Sequence, residues 1–305
     1  MALDPKRLLE LLTIAETGSF TKAAAVRRVS QPALSNSMAL LEKALGVQVL
    51  ERSRSGAALT DYGRLLATHA QALSSLLARA ADDVRLKKQG LEGLLTIGAS
   101  PLACVALVPN AVAEVERRSP HIRVEIYERP DDQLMHGLRT GELDVTVSPA
   151  GAESDPSDVV GEALMNDVSV VTVRRRHRLA RRRHVTLKEL HDARWVFPSA
   201  HTGMWRHIET LFAADNVPWP ANYVTTSSVL ALRSLILRTD SVTILSPHLM
   251  KLELATGQLV GIPLRKPHFV REIVLRTRRN AALSPLAERF VAALRAEAAA
   301  LRRRA

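Results

Sequence analysis

Gln31, Ser35 and Asn36 are the first residues whose types and spacing suggest a specific chemistry. All three are short or flat, and together with Ala39 they fall on one side of a helical stretch. An amide or hydroxyl held there can pair with the donor and acceptor pattern on the edge of a base pair, as a helix in the major groove requires. The same face would also serve as the solvated side of an ordinary helical hairpin. A second group is Arg52 and Arg54 in the basic loop ERSRSGA. Arginines on such a loop suit phosphates or a narrow minor groove, although a hairpin tip can carry two arginines by chance.

Chemistry of other kinds finds little support. There is no G-x-S-x-G elbow, no phosphate-binding glycine loop and no H-E-x-x-H pair. The ten histidines are scattered without metal-ligand spacing, and there is one cysteine, Cys104. A lone thiol forms no disulfide framework and no cysteine metal site; a small, buried apolar role is expected for it. The reading is therefore no enzyme, no cofactor and no metal.

The elements that would carry the first group can be read from their stop and start signals. Asp4 caps a helix over 4–16 with Pro5 in its first turn, Leu8, Leu11, Leu12 and Ala15 as its buried stripe, and Gly18 at its end. Thr21 caps a short helix over Lys22–Arg28, and Val29-Ser30 makes a turn. Ser30 then caps a helix reaching about Leu45, with Pro32 in the first turn, where a missing N–H costs nothing, and Gly46 as the stop. Leu34, Met38, Leu41 and Leu45 form its apolar stripe. Val47–Leu50 alternates like a strand and Ala58-Leu59 begins a return strand, which makes the basic loop a hairpin wing.

Residues 3–65 resemble the N-terminal domain of LysR-type transcriptional regulators. The resemblance is carried by AETGSFTKAA, by VSQPALSNSMALLEKALGVQVLER and by LTDYG. It implies a winged helix-turn-helix in which Gln31, Pro32, Ser35 and Asn36 face double-stranded DNA and Arg52 and Arg54 contact its backbone. The chain departs from the common family pattern at Asn36, where arginine is frequent, and at Leu50, where phenylalanine is usual.

Thr60 caps a long helix from Asp61 to about Lys88. Leu66, Ala70, Leu73, Leu77, Ala80 and Val84 recur at four, three, four, three and four, a heptad seam suited to a second copy of the helix. A homodimer follows, as the resemblance also implies, and the resemblance allows a homotetramer. The segment RLKKQ with Gly90 and Gly93 marks a hinge.

From Leu94 strands and helices alternate. Strands are expected at 94–99, 121–128, 143–148, 159–163, 168–173, 195–197, 223–226, 242–245, 259–262 and 269–276. Helices are expected at 109–119, 130–140, 203–215, 228–238, 247–255 and 285–301. A βαβαβ order argues a parallel sheet with right-handed crossovers. The stretches LTIGAS, LVPNAVAEVERRSPHIRVEI, LRTGELDVTVS and TGQLVGIPL resemble the effector domain of the same family. The resemblance implies an α/β fold of two lobes, like a periplasmic binding protein.

The chain is thus divided into a DNA-binding domain at 1–60, a linker helix and hinge at 61–90, and an effector domain at 91–305. Lobe I covers about 91–163 and 268–305, and lobe II about 164–267. In such a fold ligands lie beyond the strand ends, near helix N-termini that favour anions. Ser100, Ser148, His201, Thr202 and Ser227 are the candidate pocket residues, and each could equally be a cap or a turn residue.

Composition agrees with this frame. The 305 residues carry a formal net charge of +11 and are 47% hydrophobic. Residues 1–90 hold 13 Lys/Arg and 8 Asp/Glu, an excess denser than in the remainder, as DNA contact would have it. Seven arginines fall within 174–183 (RRRHRLARRR), which reads as a solvated face. No run is long and apolar enough for a membrane span, and the N-terminus lacks a signal peptide, so a cytoplasmic protein is expected. The resulting function is a regulator controlled by a small effector between the lobes, with an anion as the expected class. The alternative is a DNA-binding architectural protein without a ligand.

Overall fold

A computed structural model describes residues 3–53, 56–88, 92–151, 154–200, 202–265, 269–279 and 281–304. The chain forms two compact units, Met1–Leu94 with His136–Leu143, and Leu95–Met135 with Asp144–Ala305.

In the first unit α1 (Pro5–Thr17) starts at Asp4, whose carboxylate accepts from the Lys6 N–H at 2.9 Å, and stops at Gly18 with φ 64°. Its buried side is Glu10, Leu11, Thr13 and Ile14 rather than the Leu8, Leu11, Leu12, Ala15 stripe. Ile14 lies one turn below Leu11, and both join one core with α2 and α3. Ser19, not Thr21, caps α2 (Phe20–Arg27), because the helix begins two residues earlier than its alanines suggest. α3 (Gln31–Leu45) has the expected cap: the Ser30 hydroxyl accepts from the Ala33 N–H at 3.3 Å. Leu34, Met38 and Leu41 are buried against Leu11, Ile14, Ala23 and Ala24.

The wing is β1 (Leu50–Ser53) paired antiparallel with β2 (Gly56–Leu59). The strand expected at Val47–Leu50 begins only at Leu50. The reason is Glu42, whose Oε1 accepts from the Val49 and Leu50 N–H groups at 2.9 and 3.2 Å and occupies donors a ladder would need. Thr60 caps α4 (Asp61–Lys88) by accepting from the Gly63 N–H at 3.0 Å. At 28 residues this helix is about 42 Å long. Ala70 is buried and Leu66 and Leu73 are half-buried, whereas Leu77, Ala80 and Val84, the C-terminal part of the seam, are exposed.

Elements from β3 onward make the lobed part: β3 (Leu94–Ala99), α5 (Pro101–Ala106), α6 (Val108–Arg118), β4 (Arg123–Glu128), α7 (Asp131–Arg139), β5 (Val145–Pro149), β6 (Val159–Arg174), β7 (Arg194–Pro198), α8 (Gly203–Ala214), β8 (Tyr223–Thr226), α9 (Val229–Arg238), β9 (Ser241–Leu245), α10 (Lys251–Ala255), β10 (Leu259–Ile262), β11 (Phe269–Arg278) and α11 (Pro285–Arg304). The sheet runs β4-β3-β5-β11-β6-β9-β7-β8, with β10 also on β6. Parallel pairs, β3 with β5 and β7 with β8 and β9, lie towards its two ends. Antiparallel β6 and β11 join them.

Two expectations change here. The strands expected at 159–163 and 168–173 are one 16-residue strand. Val159–Ser169 pairs with β11, and Val170–Arg174 pairs with β9 and β10, so β6 itself crosses from lobe to lobe. The helix expected at 109–119 is α6, and an unexpected short helix, α5, precedes it, separated from it at Leu107, whose φ is −121° and ψ −56°. A core containing Leu95, Ile97, Phe290 and Leu294 also takes in Val196, Leu232 and Ile236. A second core, around Trp195, Phe197, Ile208 and Phe212, lies in lobe II.

Candidate functional site

The winged unit positions its polar face through contacts that no local pattern announces. Gln31, Pro32, Asn36 and Ala39 are exposed on α3, Ser35 is half-buried, and Leu34, Met38 and Leu41 hold the opposite side in the core. The Ser37 hydroxyl donates to Glu10, which is 3% exposed, and so fixes α3 against α1. Glu42 fixes the root of the wing. Arg52 lies on β1 opposite Ala57, and Arg54 lies outside the described residues. One flank therefore presents amides and hydroxyls at the N-terminal half of a helix with a basic-sequence wing beside it.

In the lobed unit a cavity of about 480 Å³ opens at the strand ends. Ser100, Thr202 and Ser227 line it, as do Ser199, Thr226 and Ser228. Ser100 caps α5, Thr202 caps α8 and Ser228 caps α9, accepting from the Ala103, Trp205 and Ala231 N–H groups at 3.4, 3.2 and 3.2 Å. Thr202 also donates to the Ser199 carbonyl at 2.8 Å. The capping role and the cavity-lining position are thus held by the same hydroxyls. Met204, Val229, Leu232, Leu245 and Leu249 supply an apolar wall.

His201 lies outside the described residues. Ser148 is not a lining residue: it is 3% exposed and its hydroxyl accepts from Arg276 Nη1 at 2.9 Å. Successive strand residues point to opposite faces, so Ser148 meets Arg276 while its neighbour Pro149 meets the cavity. Arg276 also donates through Nε to both Asp155 oxygens at 2.8 Å, locking the 150s loop onto β11.

The charged groups of the cavity were not anticipated. Arg271 on β11 stands opposite Asp167 on β6 in the ladder, and its Nη2 lies 3.7 Å from Asp167 Oδ2. Asp167 is 1% exposed and also accepts from the Ser246 hydroxyl at 2.5 Å. Burial pulls the Arg271 guanidinium below its usual range, against the pull of Asp167 and Asp131. Asp131, at the start of α7, lines the same cavity. Burial pushes its carboxyl up, opposed by Arg276, Arg271 and Arg206. A Cβ on Gly203 would lie 2.9 Å from Asp131 Oδ2, so this carboxylate already sits at the N-terminus of α8, where negative charge is favoured. Arg271 is one of four charged residues in the strand FVREIVLRTR, and that was its sequence signal. Nothing local marked Asp131. Among the described residues no cluster of His, Cys, Asp and Glu could hold a metal ion, and no helix is long and apolar enough to cross a membrane.

Comparison with known proteins follows this division of the chain. Residues 6–64 match the model of the bacterial regulatory helix-turn-helix protein, lysR family, and residues 88–299 match the LysR substrate binding domain. The HTH-type transcriptional regulator GalR of Pseudomonas putida is 33% identical over 294 residues, covering 95% of this chain and 73% of that protein. Among solved structures, ArgP from Mycobacterium tuberculosis superposes with a TM-score of 0.69 at 17% identity, covering 97% of this chain and 98% of that one. Full-length CbnR complexed with its target DNA gives 0.60 at 19% identity, covering 97% and 100%.

Proposed function

Since the chain belongs to the LysR family of DNA-binding transcriptional regulators, we propose that it is a regulator switched by a small acid bound in the cavity of its lobed unit. The observation that carries this reading is the cavity itself, whose apolar wall, capping hydroxyls and Arg271 converge at strand ends. An acidic group takes the hydroxyl and N–H end near Thr202 and Ser228 together with Arg271, where fixed dipoles favour an anion. Its body lies on Met204, Val229 and Leu245. Asp131 occupies the N-terminus of α8 in the meantime, so an anionic ligand competes with it. Ser100 and Ser227 complete the rim.

Ligand that prefers one arrangement of β6 and β11 shifts the population towards it, and the winged domain carries the change to DNA. Gln31, Pro32, Ser35 and Asn36 read base edges, and Arg52 and Arg54 hold phosphate. The exposed C-terminal part of the α4 seam pairs two copies, as a homodimer or as half of a homotetramer. Binding rather than turnover is the role of the lobed unit, and the protein works in the cytoplasm, where its DNA is.

The test is a thermal-shift screen of small organic acids and their amides against the full chain, followed by DNA binding and bending with each hit. Acids should stabilise the protein, amides should not, Arg271→Met should abolish the shift and Asp131→Asn should strengthen it. Tight binding of an acid that leaves DNA affinity, footprint and bend unchanged sinks the switch reading. The architectural alternative then remains.

A further inference from the structure

The arginine run is built as a presenting surface. Between Arg174 and Arg194 nine Lys/Arg stand against two Asp/Glu, a formal +7 of the chain's +11. Its backbone is fastened: Arg175 N–H donates to the Gln258 carbonyl at 3.0 Å, Ala180 N–H to the His177 carbonyl at 3.0 Å, and Leu179 N–H to His177 Nδ1 at 3.2 Å. Leu179 and Val185 are rooted in the core of lobe II. Arg174 is held by Asp240 at 2.9 Å and Arg182 by Glu189. Arg175, Arg176, Arg178, Arg181 and Arg183 are exposed, and no ion pair joins them to an acid among the described residues.

Arg174, Arg175, Arg176 and Arg178 frame two adjoining concavities of about 440 and 450 Å³ that share Arg174 and Arg176. The first adds Arg178 and Arg194 beside Asp192 and Asp240. The second adds Arg175 and Arg238 with Ser234 and Gln258, and no acid at all. No phenylalanine, tyrosine or tryptophan lines either one, so there is no platform on which a base could stack. Guanidinium forks recognise phosphate oxygens in pairs. Like charges brought this close repel one another, and each arginine gives up rotamer freedom when it is fixed, so a surface of this kind is relieved by a polyanion with several phosphates in a row.

We infer that the surface formed by Arg174, Arg175, Arg176 and Arg178 with Arg194 and Arg238 is a second DNA contact, which holds the sugar-phosphate backbone of duplex DNA without reading its bases. The acid-free concavity takes phosphate, and the neighbouring one takes the next along the strand. The contact is independent of the effector and of the identity of the cavity ligand.

The experiment measures binding of the full chain to long duplexes of random sequence across a series of salt concentrations. Each phosphate neutralised contributes a slope of about −0.9 in log affinity against log salt. Replacing Arg175, Arg176 and Arg178 by serine should flatten the slope by about two to three and weaken low-salt binding about tenfold or more. The melting temperature should be unchanged, because the three side chains are exposed. Lysine at the same three positions should restore most of the slope. A serine variant with unaltered melting and unaltered slope overturns the inference. If that variant instead changes the oligomeric state at constant slope, the surface belongs to a second copy of the chain and the inference falls as well.

Discussion

At the scale of single residues, position rather than type sets reactivity and tolerance. Cys104 is half-buried, and burial with a contribution from Glu128 pushes its thiol up to about 11. The thiolate is the reactive form, and at pH 8 its fraction is about a thousandth, against roughly a quarter for a free thiol near 8.5. Alkylation of Cys104 by iodoacetamide at pH 8, followed by intact mass, should run on the order of 100-fold slower than that of a free thiol. Gly63 is a second case. A Cβ there would lie 2.0 Å from the Val49 carbonyl oxygen, because the first turn of α4 packs onto the chain entering the wing. Backbone cannot yield as a flexible side-chain end can, so Gly63→Ala should destabilise the winged unit by about 3 kcal/mol. Denaturant melts and loss of DNA binding would report it, and wild-type stability in the variant would refute the close approach.

At the scale of elements, α4 leaves large apolar side chains exposed that a second copy of the helix would cover. Leu65, Leu76, Leu77 and Val84 are 57%, 63%, 53% and 59% exposed on one helix. A monomer gains nothing by wetting four large aliphatic side chains, whereas a paired helix buries them at about 25 cal/mol per Å². Leu76→Glu with Leu77→Glu should therefore raise the dimer dissociation constant about 100-fold or more, read by sedimentation, since like charges then face each other across the seam. A variant that sediments as wild type would place the interface elsewhere. β6 makes the complementary point. A strand shared by two lobes can transmit a change of ladder geometry, and the cross-strand Arg271–Asp167 pair lies at that shared segment.

At the scale of the molecule, the protonation of the cavity is a property of the assembled fold. Asp131 comes from α7, its opposing charges Arg271 and Arg276 from β11, and Arg206 from α8. Burial dominates and raises the Asp131 carboxyl above its ordinary value of 3.8. A raised acid binds protons more readily in the folded state. Its contribution to stability is therefore complete below the unfolded value and lost as pH rises through the folded one. Asp131→Asn removes that loss. It should raise the melting temperature at pH 7, and the advantage should shrink as pH falls through the raised value. An advantage equal at pH 7 and at low pH would mean that the side chain's shape, not its charge, is responsible.

How much of this was legible beforehand depends on how far apart the interacting residues lie in the chain. The Asp4, Ser30 and Thr60 caps, the Gly18 and Gly46 stops and the core side of α3 are decided within a turn or two of helix, where hydrogen bonds and packing involve neighbours in sequence. For the same reason the family resemblance was visible in contiguous motifs. Ser19 as the cap of α2 was missed because Ser19 and Thr21 satisfy the same local rule, and only the packing of Phe20 against the core chooses between them. The pocket hydroxyls Ser100, Thr202 and Ser227 could be placed from strand and helix ends. Ser148 could not, since its orientation depends on Arg276, 128 positions away. Glu10 with Ser37, Glu42 with the wing, and Asp131 beside the first residue of α8 are pairings made only when distant segments meet. The amino-acid sequence by itself determined most of the helices, the Asp4, Ser30 and Thr60 caps and the exposed polar side of α3, because those energies are local. Only the tertiary structure decided the continuity of β6, the charges that govern the cavity and the addition of Arg194 and Arg238 to the arginine run, because each is an interaction between groups that the chain order keeps apart.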